Sequence, residues 1–250
     1  MFDLSGKTAL VTGASGTIGG AIARALAQQG ADVALHYGKN EDAAQTLADE
    51  LTALGRRALT FGAEAREASA LETLWREAEA ALGAIDILVN NAGLLKNAPL
   101  GMTSEAAWDE VVDANLKSAF VLSKCAAKSW SRQRRAGRIV NISSRAGQMG
   151  DVLRAPYCAA KAGLDGLTRA TARELARLGA TCNAVAPGFV ESQMTQGDEA
   201  RREAQLKLVP LNRLAQPSEV AALVVFLASH EAAYLTGQII GLDGGLLIAG

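Results

Sequence analysis

The chain has little cysteine, proline or aromatic residue. Its three cysteines, Cys125, Cys158 and Cys182, lie far apart and show no Cys-x-x-Cys spacing. That spacing excludes a disulfide framework and a zinc site, and it fits reduced thiols in a cytosolic setting. His36 and His230 also lack ligand spacing; both read as surface residues, and no metal is assigned. Five prolines against 25 glycines exclude a Pro-rich disordered chain and suit tight turns between packed elements. With 4% aromatic and 49% hydrophobic residues, the core has to be built from Ala, Val, Leu and Ile. A formal net charge of −1 removes any global electrostatic case for nucleic acid or an anionic membrane. No apolar run approaches the ~20 residues that span a bilayer. Met1-Phe2-Asp3-Leu4 runs towards a strand without the charged and apolar regions of a leader. The expectation is a soluble, cytoplasmic protein.

What is present is an alternation. Short apolar runs at residues 8–12, 32–37, 57–61, 85–89, 138–142, 181–186 and 238–242 read as buried parallel strands. Between them, helical patterns cover residues 21–29, 41–54, 69–82, 104–132, 157–178 and 217–228, the last opened by Pro217. Residues 188–216 read as an irregular polar segment that shapes a substrate pocket together with Met149 and Leu153. Seven strands alternating with helices specify one α/β domain over residues 1–250. Its architecture is a doubly wound, Rossmann-type parallel sheet with helices on both faces.

Chemistry-bearing residues follow the strands. Gly13-Ala14-Ser15-Gly16-Thr17-Ile18-Gly19-Gly20 joins the first strand to a helix. There, backbone N–H groups can approach a pyrophosphate at the positive end of the helix dipole. Asn90-Asn91-Ala92-Gly93, Ser143-Ser144 and Pro187-Gly188 each follow a later strand. In an open α/β sheet, ligands bind outside those carboxyl ends where the strand order reverses. Tyr157 and Lys161 lie one helical turn apart on a single face. An ammonium beside a phenol favours the phenolate and lowers its pKa, which suits a proton donor for a carbonyl that receives a hydride. Ser144 is placed to hold the same oxygen.

On these residues the chain resembles the short-chain dehydrogenase/reductase family over essentially its whole length. The likeness is greatest to the 3-oxoacyl-acyl-carrier-protein reductases, through Gly137 to Ser144, Pro187-Gly188-Phe189-Val190 and Phe226 to Gly237. The resemblance implies a catalytic set of Asn115, Ser144, Tyr157 and Lys161. In that set Lys161 also holds the nicotinamide ribose, and Asn115 keeps a water beside Lys161. It further implies cofactor contacts at Gly13, Ser15, Thr17, Ile18, Gly19, Asn91, Ala92, Gly93, Pro187, Gly188, Val190 and Ser192. One departure stands out: the family turn has glycine where this chain has Thr17. A β-branched residue resists positive φ, so Thr17 is expected to take ordinary helical angles and offer its hydroxyl or N–H to the cofactor.

The second strand ends in Tyr37-Gly38-Lys39 without a carboxylate. An acid there would repel a 2′-phosphate, whereas Lys39 can pair with one. NADP is therefore favoured, with NAD open and Lys39 as a plain surface lysine the alternative. Glu64 and Ala65 match a position that touches adenine in the family, although Glu64 reads equally as a solvated loop residue. The expected reaction is reduction of a small carbonyl or acyl-thioester substrate. A sugar, polyol or other secondary-alcohol dehydrogenase is the alternative, and a non-catalytic nicotinamide-binding sensor the rival from another class. Lys124, Lys128, Arg132, Arg134, Arg135 and Arg138 gather where the long helix ends, as the helix dipole favours. They also offer a docking site for an acyl carrier protein, with Arg135 at the matching position. Family likeness implies a homotetramer.

Overall fold

The computed structural model describes residues 2–191 and 199–248, with side chains omitted at 199–202. Strands β1 (Thr8–Val11), β2 (Asp32–Tyr37), β3 (Ala58–Gly62), β4 (Ile87–Asn90), β5 (Arg138–Ile142), β6 (Thr181–Pro187) and β7 (Ile239–Leu242) form one sheet. Their order is β3-β2-β1-β4-β5-β6-β7, and every pairing is parallel. The order reverses between β1 and β4, so a crevice opens beyond the ends of those two strands.

Alternation along each strand sends side chains to two separate cores. Ala9, Val11, Val33, Leu35, Val89 and Val140 face a layer made by α1 (Thr17–Gln28), α2 (Glu41–Ala53) and α9 (Pro217–Ala228). Leu10, Ala34, Leu88, Ile139 and Cys182 face α3 (Ala68–Leu82), α5 (Ser118–Gln133) and α7 (Ala155–Leu175). Burying such aliphatic side chains contributes roughly 1.5–3 kcal/mol each. Trp130, fully buried on α5, satisfies its indole by donating to the Ile85 carbonyl at 2.7 Å.

Four elements differ from the pattern read in the sequence. The first helix begins at Thr17, not at residue 21, because its glycines lie inside the first turn. The long helix is interrupted: α4 (Glu105–Val112) passes through a π-helical turn, Asp113–Lys117, before α5. The polar segment after β6 contains a helix, α8 (Glu199–Leu206). A short helix, α6 (Ala146–Met149), also follows β5. No helix among the described residues is long and apolar enough to cross a membrane.

Candidate active site

The glycine turn is built for close approach. Gly13 has φ +64°, and a Cβ there would lie 3.1 Å from Ala92. A Cβ on Gly19 would lie 2.2 Å from the Gly13 carbonyl oxygen, so α1 can pack against the turn only with glycine at that position. Thr17 is the first residue of α1 and is absent from the positive-φ residues, as its β-branch requires. Gly16 precedes it, and no side chain caps the helix. The first-turn N–H groups of Thr17, Ile18 and Gly19 thus face the crevice without a competing side-chain acceptor, a ready anion site. Ser15 is half-buried in the same turn. This uncapped glycine cradle fits a dinucleotide pyrophosphate.

Thr12 and Asn91 lock the turn to β4. The Thr12 hydroxyl accepts from the backbone N–H groups of Asn91 and Ala92 at 2.8 and 2.9 Å. The Asn91 amide donates back to the carbonyls of Thr12 and Gly13. His36 corrects the sequence expectation of a surface residue: it is 1% exposed. Gly13 N–H donates to its Nδ1 at 3.1 Å, and its Nε2 lies 3.0 Å from the Ala63 carbonyl. It therefore holds the glycine turn as a neutral ring, and burial keeps its pKa below the ordinary 6.5. On acidification the unfolded chain takes up this proton before the folded one, so the stability that His36 contributes above pH 6.5 is lost as pH falls. Melting temperature should accordingly drop more steeply between pH 7 and pH 5 (about that window) in the wild type than in His36→Gln. Equal slopes would remove His36 from this role.

Tyr37 ends β2, and Lys39 follows two residues later. The Tyr37 hydroxyl leans over Gly62 and is hydrogen-bonded to Glu41, which raises its pKa. Lys39 is exposed. Glu64 is ion-paired with Arg66 at 3.0 Å, and Lys39 adds to the field that keeps its carboxyl below the usual range. Ala65 is half-buried beside it.

The chemical centre forms where β5 meets α7. Ser144 follows β5 directly, and Tyr157 and Lys161 share one face of α7. Burial raises the phenol pKa of Tyr157, and the neighbouring Ser144 hydroxyl lowers it by less. The Lys161 ammonium lies 5.5 Å from the centroid of the Tyr157 ring and donates to the Ile142 carbonyl at 2.8 Å. The expected depression of the phenol by Lys161 is not found; the lysine is itself depressed. Complete burial pulls its own pKa down to about 8, with Asp165 opposing.

Asn115, 2% exposed, sits in the π-helical turn. Its amide nitrogen donates to the carbonyls of Leu94 and Val111 at 2.7 and 2.8 Å. Its Oδ1 has no partner among the described residues. A Cβ on Gly93 would lie 2.5 Å from that oxygen and 3.8 Å from Lys161 Nζ, so the orphaned acceptor and the ammonium border one small space. A buried acceptor of this kind calls for a water or ligand donor.

Sequence reading missed Thr12, Ser143 and Asp165 as supports. Ser143 donates to Asp165 at 2.6 Å and to the Lys161 carbonyl at 3.3 Å, tying the lysine turn to β5. The one available signal was Asp165 one helical turn beyond Lys161. Pro187 and Gly188 end β6: Arg145 N–H donates to the Pro187 carbonyl, and Gly188 N–H to that of Leu242. Val190 bridges to Ala215. Ser192 lies outside the described residues. Of the basic run, Lys124 pairs with Glu72, Arg135 with the nearly buried Asp86, and Arg138 with the carbonyls of Gly137 and Gly179. Arg135 is thus engaged within the fold. Lys128, Arg132 and Arg134 are exposed.

Comparison with known proteins agrees with this geometry. The family model of the short chain dehydrogenases matches residues 7–203. Nodulation protein G of Rhizobium sp. (strain N33) is 45% identical over 247 residues, 98% of this chain and 99% of that protein. The 3-oxoacyl-acyl-carrier-protein reductase of Staphylococcus aureus (strain Mu50) is 42% identical over 241 residues, 96% of this chain and 98% of that protein. A crystal structure from Agrobacterium tumefaciens, provisionally described as a 2-deoxy-d-gluconate 3-dehydrogenase and holding NADP, superposes with a TM-score of 0.92. It is 37% identical and covers 99% of both chains.

Proposed function

The chain belongs to the short-chain dehydrogenase family, an oxidoreductase family, and from that premise we propose an NADP(H)-dependent reductase of ketones, most like a 3-oxoacyl-thioester reductase. The observation that carries the reading is the Ser144–Tyr157 hydroxyl pair, backed by a buried ammonium and set opposite the glycine cradle. Gly13, Ser15, Thr17, Ile18 and Gly19 would hold the pyrophosphate, with Tyr37, Lys39, Glu64 and Ala65 at the adenosine. Asn91, Ala92 and Gly93 would line the crevice, and Pro187, Gly188 and Val190 would border the carboxamide. When bound, the cofactor supplies the hydride, which no side chain can do.

The residues of the chain supply the rest. Ser144 and Tyr157 fix the substrate oxygen between two hydroxyls, which polarises the carbonyl. Tyr157, protonated near neutrality, donates the proton that the oxygen takes up. Lys161 binds the nicotinamide ribose, and Asn115 Oδ1 accepts from a water that restores the proton. Support for a thioester substrate comes from the 42% identity to the Staphylococcus reductase. The provisional description of the Agrobacterium structure favours a sugar-acid alcohol as the second reading.

The test is initial-rate oxidation of NADPH and of NADH with an acetoacetyl thioester, sugar ketones and steroid ketones side by side. The expected result is NADPH-dependent turnover, fastest on the thioester. NADPH binding without reduction of any ketone would leave only a sensor, and equal efficiency with NADH would end the NADP preference.

A further inference from the structure

A cleft of about 750 Å³ opens beside the short helix α6 and the start of α7, lined by residues from Arg145 to Arg154 and by Phe189 and Leu208. Met149, Leu153, Phe189 and Leu208 make it largely apolar, yet a guanidinium is set into its wall. Arg145 directly follows Ser144 and is only 6% exposed. One face of its guanidinium stacks on the Phe189 ring, 4.1 Å from the centroid. Such stacking suits a planar, weakly hydrated cation and leaves the N–H edge free to bind.

That edge is poorly supplied. A guanidinium carries five donors. Among the described residues, the side chain has one short contact, Nη1 to the Met149 sulfur at 2.9 Å, and thioether is a weak acceptor. Among the described residues Arg145 has a long ion pair with Asp151 Oδ2, at 3.8 Å and beyond hydrogen-bond distance. The same oxygen is already held by Arg154 at 2.7 Å. Arg154 in turn donates to the Asn97 side-chain oxygen at 3.0 Å. Asp243 also acts on Arg145 through space, but its two oxygens accept the N–H groups of Gly245 and Leu247. Burial lowers the pKa of Arg145 more than these acids raise it, and the nearby Cys158 thiol adds little. Two cations share one carboxylate at the mouth of an apolar cleft. A buried charge in that position calls for a counter-ion.

We propose that Arg145 is the anion-recognising residue of the substrate cleft: the ketone carries a carboxylate that docks on the Arg145 edge, with Arg154 beside it. The inference rests on the ketoreductase reading but departs from its thioester preference: a neutral acetoacetyl thioester carries no such group, so the favoured substrates become oxo acids, or acyl chains ending in a carboxylate. Arg145 follows Ser144 directly in the chain, which places the anion site beside the residue proposed to hold the ketone oxygen. Arg145 acts on specificity and takes no part in the proton chemistry.

The experiment compares each acid with its neutral ester, levulinate with methyl levulinate and acetoacetate with methyl acetoacetate, using NADPH. The wild type should prefer the acids. Arg145→Met should lower the acid-to-ester ratio of kcat/KM by at least ~10-fold, mainly through KM, the effect of losing a charge-assisted hydrogen bond. Arg145→Lys should restore part of the ratio, and Arg154→Gln, at a less buried position, should lower it severalfold. Equal losses on acid and ester in Arg145→Met, or a wild type that prefers esters, would make Arg145 a structural residue. Esters reduced and acids refused would overturn the inference while the ketoreductase reading stood. Should no ketone be reduced, thermal melting with levulinate decides: a rise in the wild type that is lost in Arg145→Met keeps the anion site, and no rise removes it.

Discussion

Replacing Tyr157 by phenylalanine is expected to lower kcat by roughly 10²–10⁴-fold, the usual contribution of a positioned general acid. NADPH affinity should stay within a few-fold. The substitution deletes one oxygen and keeps the ring, so the packing of Lys161 against that ring, 5.5 Å from its centroid, is retained. What disappears is the hydroxyl bonded to Ser144 and the proton it would deliver. A phenol is already protonated near neutrality, and burial raises its pKa further, so the proton is present for reduction although it is held more tightly. The wild-type rate of carbonyl reduction should therefore hold across neutral pH and decline only on the alkaline side. Steady-state rates with a fluorescence titration of NADPH separate the two effects. A Tyr157→Phe enzyme that keeps its kcat, or loses cofactor binding in proportion to rate, would end this account of the chemistry.

Lys161→Met should pull activity and stability in opposite directions. Loss of the ammonium removes the group proposed to hold the ribose, which also borders the Asn115 acceptor, so turnover should fall by orders of magnitude. Stability should rise at pH 7. Burial holds the folded pKa at about 8 against 10.5 for the free group. A shift of that size corresponds to roughly 3 kcal/mol of cost at most. The lost hydrogen bond to the Ile142 carbonyl offsets about 1 kcal/mol of it. The sign follows from proton counts. Between pH 8 and 10.5 the unfolded chain binds the proton and the folded chain does not, so the wild type gains stability as pH rises. Lys161→Met should thus melt higher than the wild type at pH 7, with the gap closing towards pH 10.5. A variant that melts lower at pH 7, by an amount that stays constant to pH 10 (roughly), would contradict the cost assigned to this lysine.

The two predictions describe one arrangement: the fold sets a cationic side chain where water cannot reach it. Local pairing does not explain that. Asp165 opposes the desolvation of Lys161 but does not overcome it, and its own carboxyl is raised by burial. The strain is held by Ser143, which bonds both Asp165 and the Lys161 carbonyl, and by the parallel pairing of β5 with β4 and β6.

Some of this was legible along the chain. All seven strands, the parallel doubly wound order and the placement of Ser144, Tyr157 and Lys161 follow from alternation, glycine turns and an i, i+4 spacing. These are short-range signals, and hydrophobic periodicity transmits them without reference to distant residues. The start of α1 was not legible. Residues 17–20 read as turn because glycine weakens helices. Gly19 stands in the helix because the Gly13 carbonyl leaves no space for a Cβ. The π-helical turn at Asn115 was likewise hidden within a continuous helical pattern, although it is what directs that amide towards Gly93.

Sequence alone determined the class of fold and brought out Tyr157 and Lys161, the pair proposed for proton transfer, because both rest on patterns among residues near one another in the chain. Tertiary structure alone decided which polar groups lost their water. His36 is buried by partners 23 and 27 positions away, and Arg145 by Phe189 across the cleft. Desolvation depends on every element that packs around a group, so the charge state and use of these side chains exist only once the chain has closed over them.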